Sequence, residues 1–242
     1  MVWQNLEEVS VLKVRIKFAK QGAMKFVGHL DIMRYFQKVM RRSDVDIAYS
    51  EGFSPHQKMS FAAPLGVGLT SRGEYFDIEV NSTESSKEML RRMNETMVEG
   101  MKVIRYRLLP EDSKNAMSIV SEADYLVNFR KGKEPCSDLK NQFEQFMAQE
   151  QIEILKATKK SEVVVDIRPL IRSFEVRNDG IFLKLATGSE NNLKPELVVD
   201  AFCEYLSVQR KPFDLLTERL ELYGKNENGD PIPLEDFGVD LD

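Results

Sequence analysis

The sequence predicts an α+β fold made of tandem ferredoxin-like (βαββαβ) domains with antiparallel sheets. Three observations lead there. Apolar and basic residues alternate almost strictly over residues 11–18, apolar residues then recur at helical spacing over 30–40, and the order of strands and helices returns in the second half. At 242 residues the chain has room for two domains, each of about 100 residues.

The alternation puts Val14, Ile16 and Phe18 on one face of a first strand and Lys13, Arg15 and Lys17 on the other. Leu30, Met33, Phe36 and Met40, with Ile32 and Val39 alongside, then form the inner face of a helix whose back carries Arg34, Lys38, Arg41 and Arg42. Strands follow at 47–49, 58–61 and 74–80, a helix at 85–98 with Met89, Leu90, Met93 and Met97 inward, and a strand at 101–109. The second half repeats the theme. It has a strand at 125–130, a helix at 137–149 turned inward by Leu139, Phe143, Phe146 and Met147, and strands at 153–157, 163–167 and 181–186. A helix over 195–206 starts at Pro195, where a missing N–H costs nothing, and a strand at 219–223 closes the set. The expected division is a first domain at 1–110, a linker at 111–121, a second domain at 122–224 and an acidic hairpin or tail at 225–242, with Asn228-Gly229 marking a tight turn.

Composition narrows the function. With 42% apolar and 30% charged residues, the chain reads as an ordinary soluble protein. No apolar run approaches the roughly 20 residues of a membrane span, and residues 1–10 carry two acids without a basic signal region. The expectation is a cytoplasmic protein with no membrane partner. Cys136 and Cys203 stand far apart, each without a neighbouring ligand, so neither a disulfide framework nor a zinc or iron–sulfur site is expected, and no cofactor is called for. Asp166 and Arg168 read as an ion pair at a strand end.

Charge is segregated along the chain. Residues 225–242 hold one lysine against six acids, whereas residues 11–72 hold eleven Lys and Arg against four acids. Such asymmetry points to an anionic partner for the basic part. The stretch YSEGFSPHQKMSFAAPLGVGLTS, residues 49–71, lies within it. Pro55 and Pro64 stiffen it, Gly52, Gly66 and Gly68 permit unusual backbone angles, and Phe53, Ser54, His56 and Lys58 bring a ring, a hydroxyl, an imidazole and an amine together. A simple hairpin needs fewer special residues. Aromatic and basic groups on a loop beside an open sheet face suit single-stranded nucleic acid, with rings stacking on bases and cations following phosphates. Upstream, His29 and Asp31 follow Gly28 at a helix start, where an acid also favours the helix dipole; the backbone N–H groups there, with Arg34, suit a phosphate.

GHLDIMRYFQKVMRR followed by YSEGFSPHQKMSFAAPLGVGLTSRGEYFDIEV resembles the signature of the radical-SAM-associated protein family, a bacterial domain of unknown function. That family is carried fused to a radical SAM enzyme or encoded beside one. The resemblance is dense over residues 13–80; beyond them VVVDIRPLI and NNLKPELVVDAF carry it. Gln57 stands where the family pattern often has proline, and Lys194 where it often has arginine. The resemblance implies a radical SAM enzyme as partner and leaves the chemistry open.

The resulting expectation is a non-catalytic RNA-binding or substrate-presenting accessory protein for a radical SAM enzyme. Its binding set is Lys13, Arg15 and Lys17, if that face of the sheet is open, with His29, Asp31, Arg34, Arg41, Phe53, Ser54, His56 and Lys58. Two alternatives remain. One is a metal-independent RNA-processing enzyme that uses His29 or His56 with Lys58 in general acid–base chemistry. The other is a protein-docking adaptor without nucleic-acid contact. A continuous basic groove, a closed pocket holding both histidines, or an exposed apolar patch separates the three.

Overall fold

The computed structural model describes residues 11–157, 162–189 and 191–242. It is a mixed α+β protein whose strands pair mostly antiparallel. The chain divides into two units, one of residues 1–67, 74–118 and 233–242, the other of residues 68–73 and 119–232.

The first unit contains β1 (Leu12–Lys20), α1 (His29–Arg42), β2 (Met59–Phe61), most of β3 (Thr70–Val80), α2 (Ser86–Glu95) and β4 (Met101–Leu108). Its strand order is β4-β1-β3-β2, with β1–β4 and β2–β3 antiparallel. α1 starts after an extended Gly28 cap, carries Asp31 in its first turn and ends on Arg41 and Arg42, all in line with the helix dipole. It buries Ile32, Phe36, Val39 and Met40, the stripe that helical spacing requires. α2 is capped by Ser85, whose hydroxyl accepts the Glu88 N–H at 3.3 Å. Both helices bury their stripes in one core with Val14, Ile16, Phe18, Phe76 and Ile78. Phe18, Phe36, Phe61 and Phe76 meet there ring to ring. The segment expected as a strand at 47–49 makes only single bridges, Ile47 to Val80 and Tyr49 to Gln57.

Residues expected as a linker are structured. α3 (Ala116–Ile119) is a single helical turn, and the segment before it is tied to β1 by Lys13, whose Nζ donates to the carbonyls of Glu111 at 2.5 Å and Ser113 at 3.1 Å.

The second unit contains β5 (Val120–Phe129), α4 (Leu139–Met147), β6 (Glu153–Ala157), β7 (Glu162–Asp166), β8 (Ile171–Arg177), β9 (Gly180–Ala186), α5 (Pro195–Tyr205) and β10 (Leu215–Lys225). Its order is β10-β5-β9-β8, and Thr70 and Ser71 at the start of β3 pair in parallel with Glu218 and Arg219 of β10. Phe143 and Phe146 of α4 and Phe202 of α5 pack together beneath the sheet's apolar set, Ile181, Leu183 and Leu185 among it. The strands expected at 153–157 and 163–167 form instead a separate two-stranded sheet, 153–157 paired with 162–166, and the strand beside β9 is β8, which is not among the expected strands. β8 hides because its register slips between Ile171 and Ser173, which breaks the alternation of its apolar residues.

The acidic segment 225–242 is also split. Its first part turns at Gly229, φ +86°, with the Asn226 N–H donating to the Asp230 carbonyl at 2.9 Å, and β11 (Pro231–Pro233) pairs with β10. Residues 233–242 belong to the first unit. There Leu234 is fully buried, Val239 exchanges two backbone hydrogen bonds with Leu108, and Ser86 does the same with Leu241 through its N–H and hydroxyl.

Candidate functional site

The basic face of β1 is closed over Arg15 and Lys17, so of Lys13, Arg15 and Lys17 only Lys13 meets the condition of an open face. Alternation does place them opposite Val14, Ile16 and Phe18, but a second layer covers Arg15 and Lys17 and leaves Lys13 half-buried. Arg15 is 1% exposed. Its Nε and Nη2 bond the two carboxylate oxygens of Asp77 at 2.8 and 3.0 Å, Nη1 donates to the Leu234 carbonyl at 3.1 Å, and Nη2 also reaches the Lys114 carbonyl at 3.3 Å. Lys17, 8% exposed, pairs with Glu235 at 2.5 Å, and Glu235 also meets the Arg105 Nε at 2.9 Å. These cations are held by acids and carbonyls of the same unit because a charge removed from water needs such partners. Burial raises the Glu235 carboxyl, yet the Lys17 hydrogen bond and the charges of Lys17, Arg105 and Arg107 outweigh it and hold it below the usual carboxylate range.

The loop from Tyr49 to His56 remains open to solvent. The Ser50 N–H donates to the His56 carbonyl at 2.9 Å, the His56 N–H donates to the Ser50 hydroxyl at 3.1 Å, and that hydroxyl lies 2.8 Å from His56 Nδ1. When the hydroxyl donates to Nδ1, the ring proton sits on Nε2, which becomes a donor for a ligand. Gly52 takes φ +103°, a conformation other residues resist, and so turns the tip on which Phe53 stands fully exposed beside exposed Ser54 and His56. The base of the loop is fixed to α1 by Gln57, whose buried amide donates to the Gln37 carbonyl at 3.3 Å.

Beside His56 lies a cleft of about 370 Å³, bounded by β2, β3 and the segment before α3. Lys13, Lys58 and Lys114 line it together with Ser60, Asn115 and Leu109, while the Met59 side chain packs into the core on the other face of the sheet. Its acids are engaged. Asp77 takes Arg15 and the Ala116 N–H at 2.7 Å, and Glu79 takes Lys58 at 2.5 Å. Lys13 bonds only carbonyls, so it brings a full positive charge to the wall.

His29 lies elsewhere. It packs edge-on against Phe61, ring centroids 5.2 Å apart, and lines a small pit with Lys20, Leu65 and Glu74. Burial pushes its imidazole below the ordinary value, Glu74 draws it up, and Lys20 pushes it down. The two histidines therefore line different cavities. On α1, Asp31 and Arg34 form an exposed pair at 3.3 Å, and Arg41 is exposed in the last turn.

Several polar residues escaped the sequence reading. Asp77, Lys114 and Asn115 gain their roles from distant partners, and no local spacing announces that. In the second unit, Tyr223 donates to Asp124 Oδ2 at 2.7 Å, and Lys184 meets Asp124 Oδ1 at 3.0 Å. The alternation of Glu122 and Asp124 with Ala123 and Tyr125 along β5 is the signal that places Asp124 on the polar face. Asp166 uses Oδ1 to accept the N–H groups of Ile152 and Arg168, a backbone role in place of the expected ion pair. Cys136 and Cys203 are free thiols, and among the described residues no cluster of three or more His, Cys, Asp and Glu is placed to hold a metal. No helix of the described residues is long and apolar enough to cross a membrane.

The chain matches no curated protein. A family model does match, over residues 13–195, from the first strand to the first residue of α5. That span takes in the loop, the cleft and both histidines, and it places the chain in the family described as an uncharacterized protein conserved in bacteria (DUF2344).

Proposed function

We propose that the protein is a non-catalytic RNA-binding or substrate-presenting accessory of a radical SAM enzyme, acting in the cytoplasm. The single observation that carries the RNA reading is the fully exposed Phe53 ring on the loop that also presents His56 beside a lysine-lined cleft. A solvent-exposed aromatic ring costs hydrophobic free energy unless a partner covers it. Bases supply a flat apolar partner, and the phosphates between them suit the lysines. Exposed Arg34 and Arg41 extend the positive charge along α1, to which Gln57 fixes the loop. The binding set is thus Arg34, Arg41, Phe53, Ser54, His56 and Lys58, with Lys13 from the cleft wall, and without Arg15 and Lys17. The radical SAM partner rests on the resemblance of residues 13–80.

Each unit is read as ferredoxin-like, which its strand order supports. In the first, order β4-β1-β3-β2 joins two βαβ halves; in the second, β10-β5-β9-β8 does so with β6 and β7 inserted after the first helix. The enzyme alternative needs His29 or His56 with Lys58; His29 lines another cavity, and Lys58, which shares the cleft with His56, is engaged by Glu79 at 2.5 Å. One observation favours the adaptor: Phe26, Leu30 and Val67 are exposed near His29 in sequence or on the loop that walls its pit. Titration of a labelled single-stranded RNA separates the readings. Loss of affinity on Phe53→Ala supports RNA binding; RNA affinity that is absent, with the radical SAM enzyme still retained by the protein, supports the adaptor.

A further inference from the structure

The cleft beside His56 is larger than a bare anion requires and carries a mixed lining. Its volume of about 370 Å³ falls in the range of small-molecule sites, which combine an apolar surface with a few placed polar groups. The charge balance at its wall is specific. Glu79 offsets Lys58, and Asp77 is matched by buried Arg15 and the Ala116 N–H. Two ammonium groups remain, Lys13 and Lys114, and among the described residues neither meets a carboxylate at ion-pair distance. Two unmatched cations fit a dianion. A phosphate monoester carries close to two negative charges at neutral pH, whereas a phosphodiester or a carboxylate carries one.

The polar groups around them are oriented. Asn115 Oδ1 accepts the Ser60 hydroxyl at 3.2 Å and the Met117 N–H at 3.0 Å, so its amide NH2 is the part left to meet a ligand. His56 Nδ1 is engaged by Ser50, which leaves Nε2 for the cleft it lines. Leu109 adds apolar lining.

We infer that this cleft binds a nucleoside monophosphate group, its phosphate monoester held by Lys13 and Lys114 and its nucleoside met by the Asn115 amide, His56 Nε2 and Leu109. This deepens the RNA reading and rests on it for one of two sources. The group is either the phosphorylated end of an RNA chain or a free mononucleotide.

Calorimetric titration of the full chain with the four nucleoside monophosphates, the unphosphorylated nucleosides and inorganic phosphate tests it. Monophosphates are expected to bind, and nucleosides and inorganic phosphate to bind more weakly. Lys114→Gln, an exposed position, and Lys13→Gln should each weaken the monophosphate about tenfold, the usual worth of a charge-assisted contact. Circular dichroism identifies any variant that has not folded, and Lys114→Gln carries the test if Lys13→Gln is one of them. The arms that separate the sources use one RNA oligonucleotide with a 5′-phosphate and the same one with a 5′-hydroxyl. Tighter binding of the phosphorylated oligonucleotide, with competition by monophosphate, assigns the cleft to RNA ends. Monophosphate binding without binding of either oligonucleotide keeps the cleft and removes the RNA reading. Equal binding of both oligonucleotides without monophosphate binding does the reverse. Absence of monophosphate binding, or binding unchanged in both lysine variants, overturns the inference.

Discussion

Arg15 and Asp77 join β1 to β3 by two parallel hydrogen bonds, Nε to Oδ1 at 2.8 Å and Nη2 to Oδ2 at 3.0 Å, with the guanidinium 1% exposed. Asp77 Oδ2 also accepts the Ala116 N–H, and Arg15 also reaches the carbonyls of Lys114 and Leu234. One ion pair thus organises the segment before α3, part of the cleft wall, and the start of the C-terminal segment. It explains why a basic strand that looks like a binding face is interior.

Removal of the charge on Asp77 leaves that guanidinium buried beside a neutral partner. Asp77→Asn is expected to destabilise the protein by about 3 kcal/mol, the lower end for a broken buried pair. Urea unfolding measures it. A loss under about 1 kcal/mol means that the pair is solvated and the face is open after all.

Gly73 is the second structural test. A methyl group there would lie 2.5 Å from the Leu220 carbonyl oxygen and 2.7 Å from the Glu221 Cα, both of them backbone atoms that move only with β10. Gly73→Ala should cost about 1–3 kcal/mol, as overpacking does. A wild-type melting temperature in this variant contradicts the close approach of β3 to β10.

The pH dependence follows from Glu235. Its carboxyl lies below the usual range in the folded protein, so the unfolded chain takes up the proton first as pH falls. Its contribution is complete above the ordinary glutamate value and is lost as pH drops through the folded one. The stability difference between wild type and Glu235→Gln should therefore be constant near neutrality and shrink below about pH 4.3. A difference that grows in acid has the wrong sign for this pairing.

Phe53 separates function from folding. Phe53→Ala should leave the melting temperature unchanged, because the ring is exposed and makes no core contact, while RNA affinity falls by about 1–3 kcal/mol, the worth of one stacked base. Loss of stability without loss of affinity assigns the ring to packing.

Much of the first unit is legible in the sequence because its signals are local. The α1 stripe from Ile32 to Met40 and the alternation from Val14 to Lys17 each repeat at the period of their element, and the structure follows them. What the sequence does not reveal is the second layer. Arg15 and Lys17 look like exposed cations because their partners, Asp77, Leu234 and Glu235, lie up to about two hundred residues away. The slip in β8 defeats a period-two reading in the same way that distance defeats a charge reading. At the site, the Tyr49–Gln57 loop is visible from its proline, glycine and exposed aromatic ring, whereas the cleft beside it needs Lys114 and Asn115 from a segment that reads as a linker.

The most direct test of RNA binding at this surface is the salt dependence of affinity for a labelled single-stranded RNA, with wild type compared with Arg34→Ala and Lys58→Ala. Binding through phosphates predicts that log affinity falls linearly with log salt, by roughly 0.7 per phosphate contacted, and that each variant flattens the slope by about one contact. Binding that is undetectable, or that salt leaves unchanged, contradicts the account and transfers the exposed Phe53 to a protein partner.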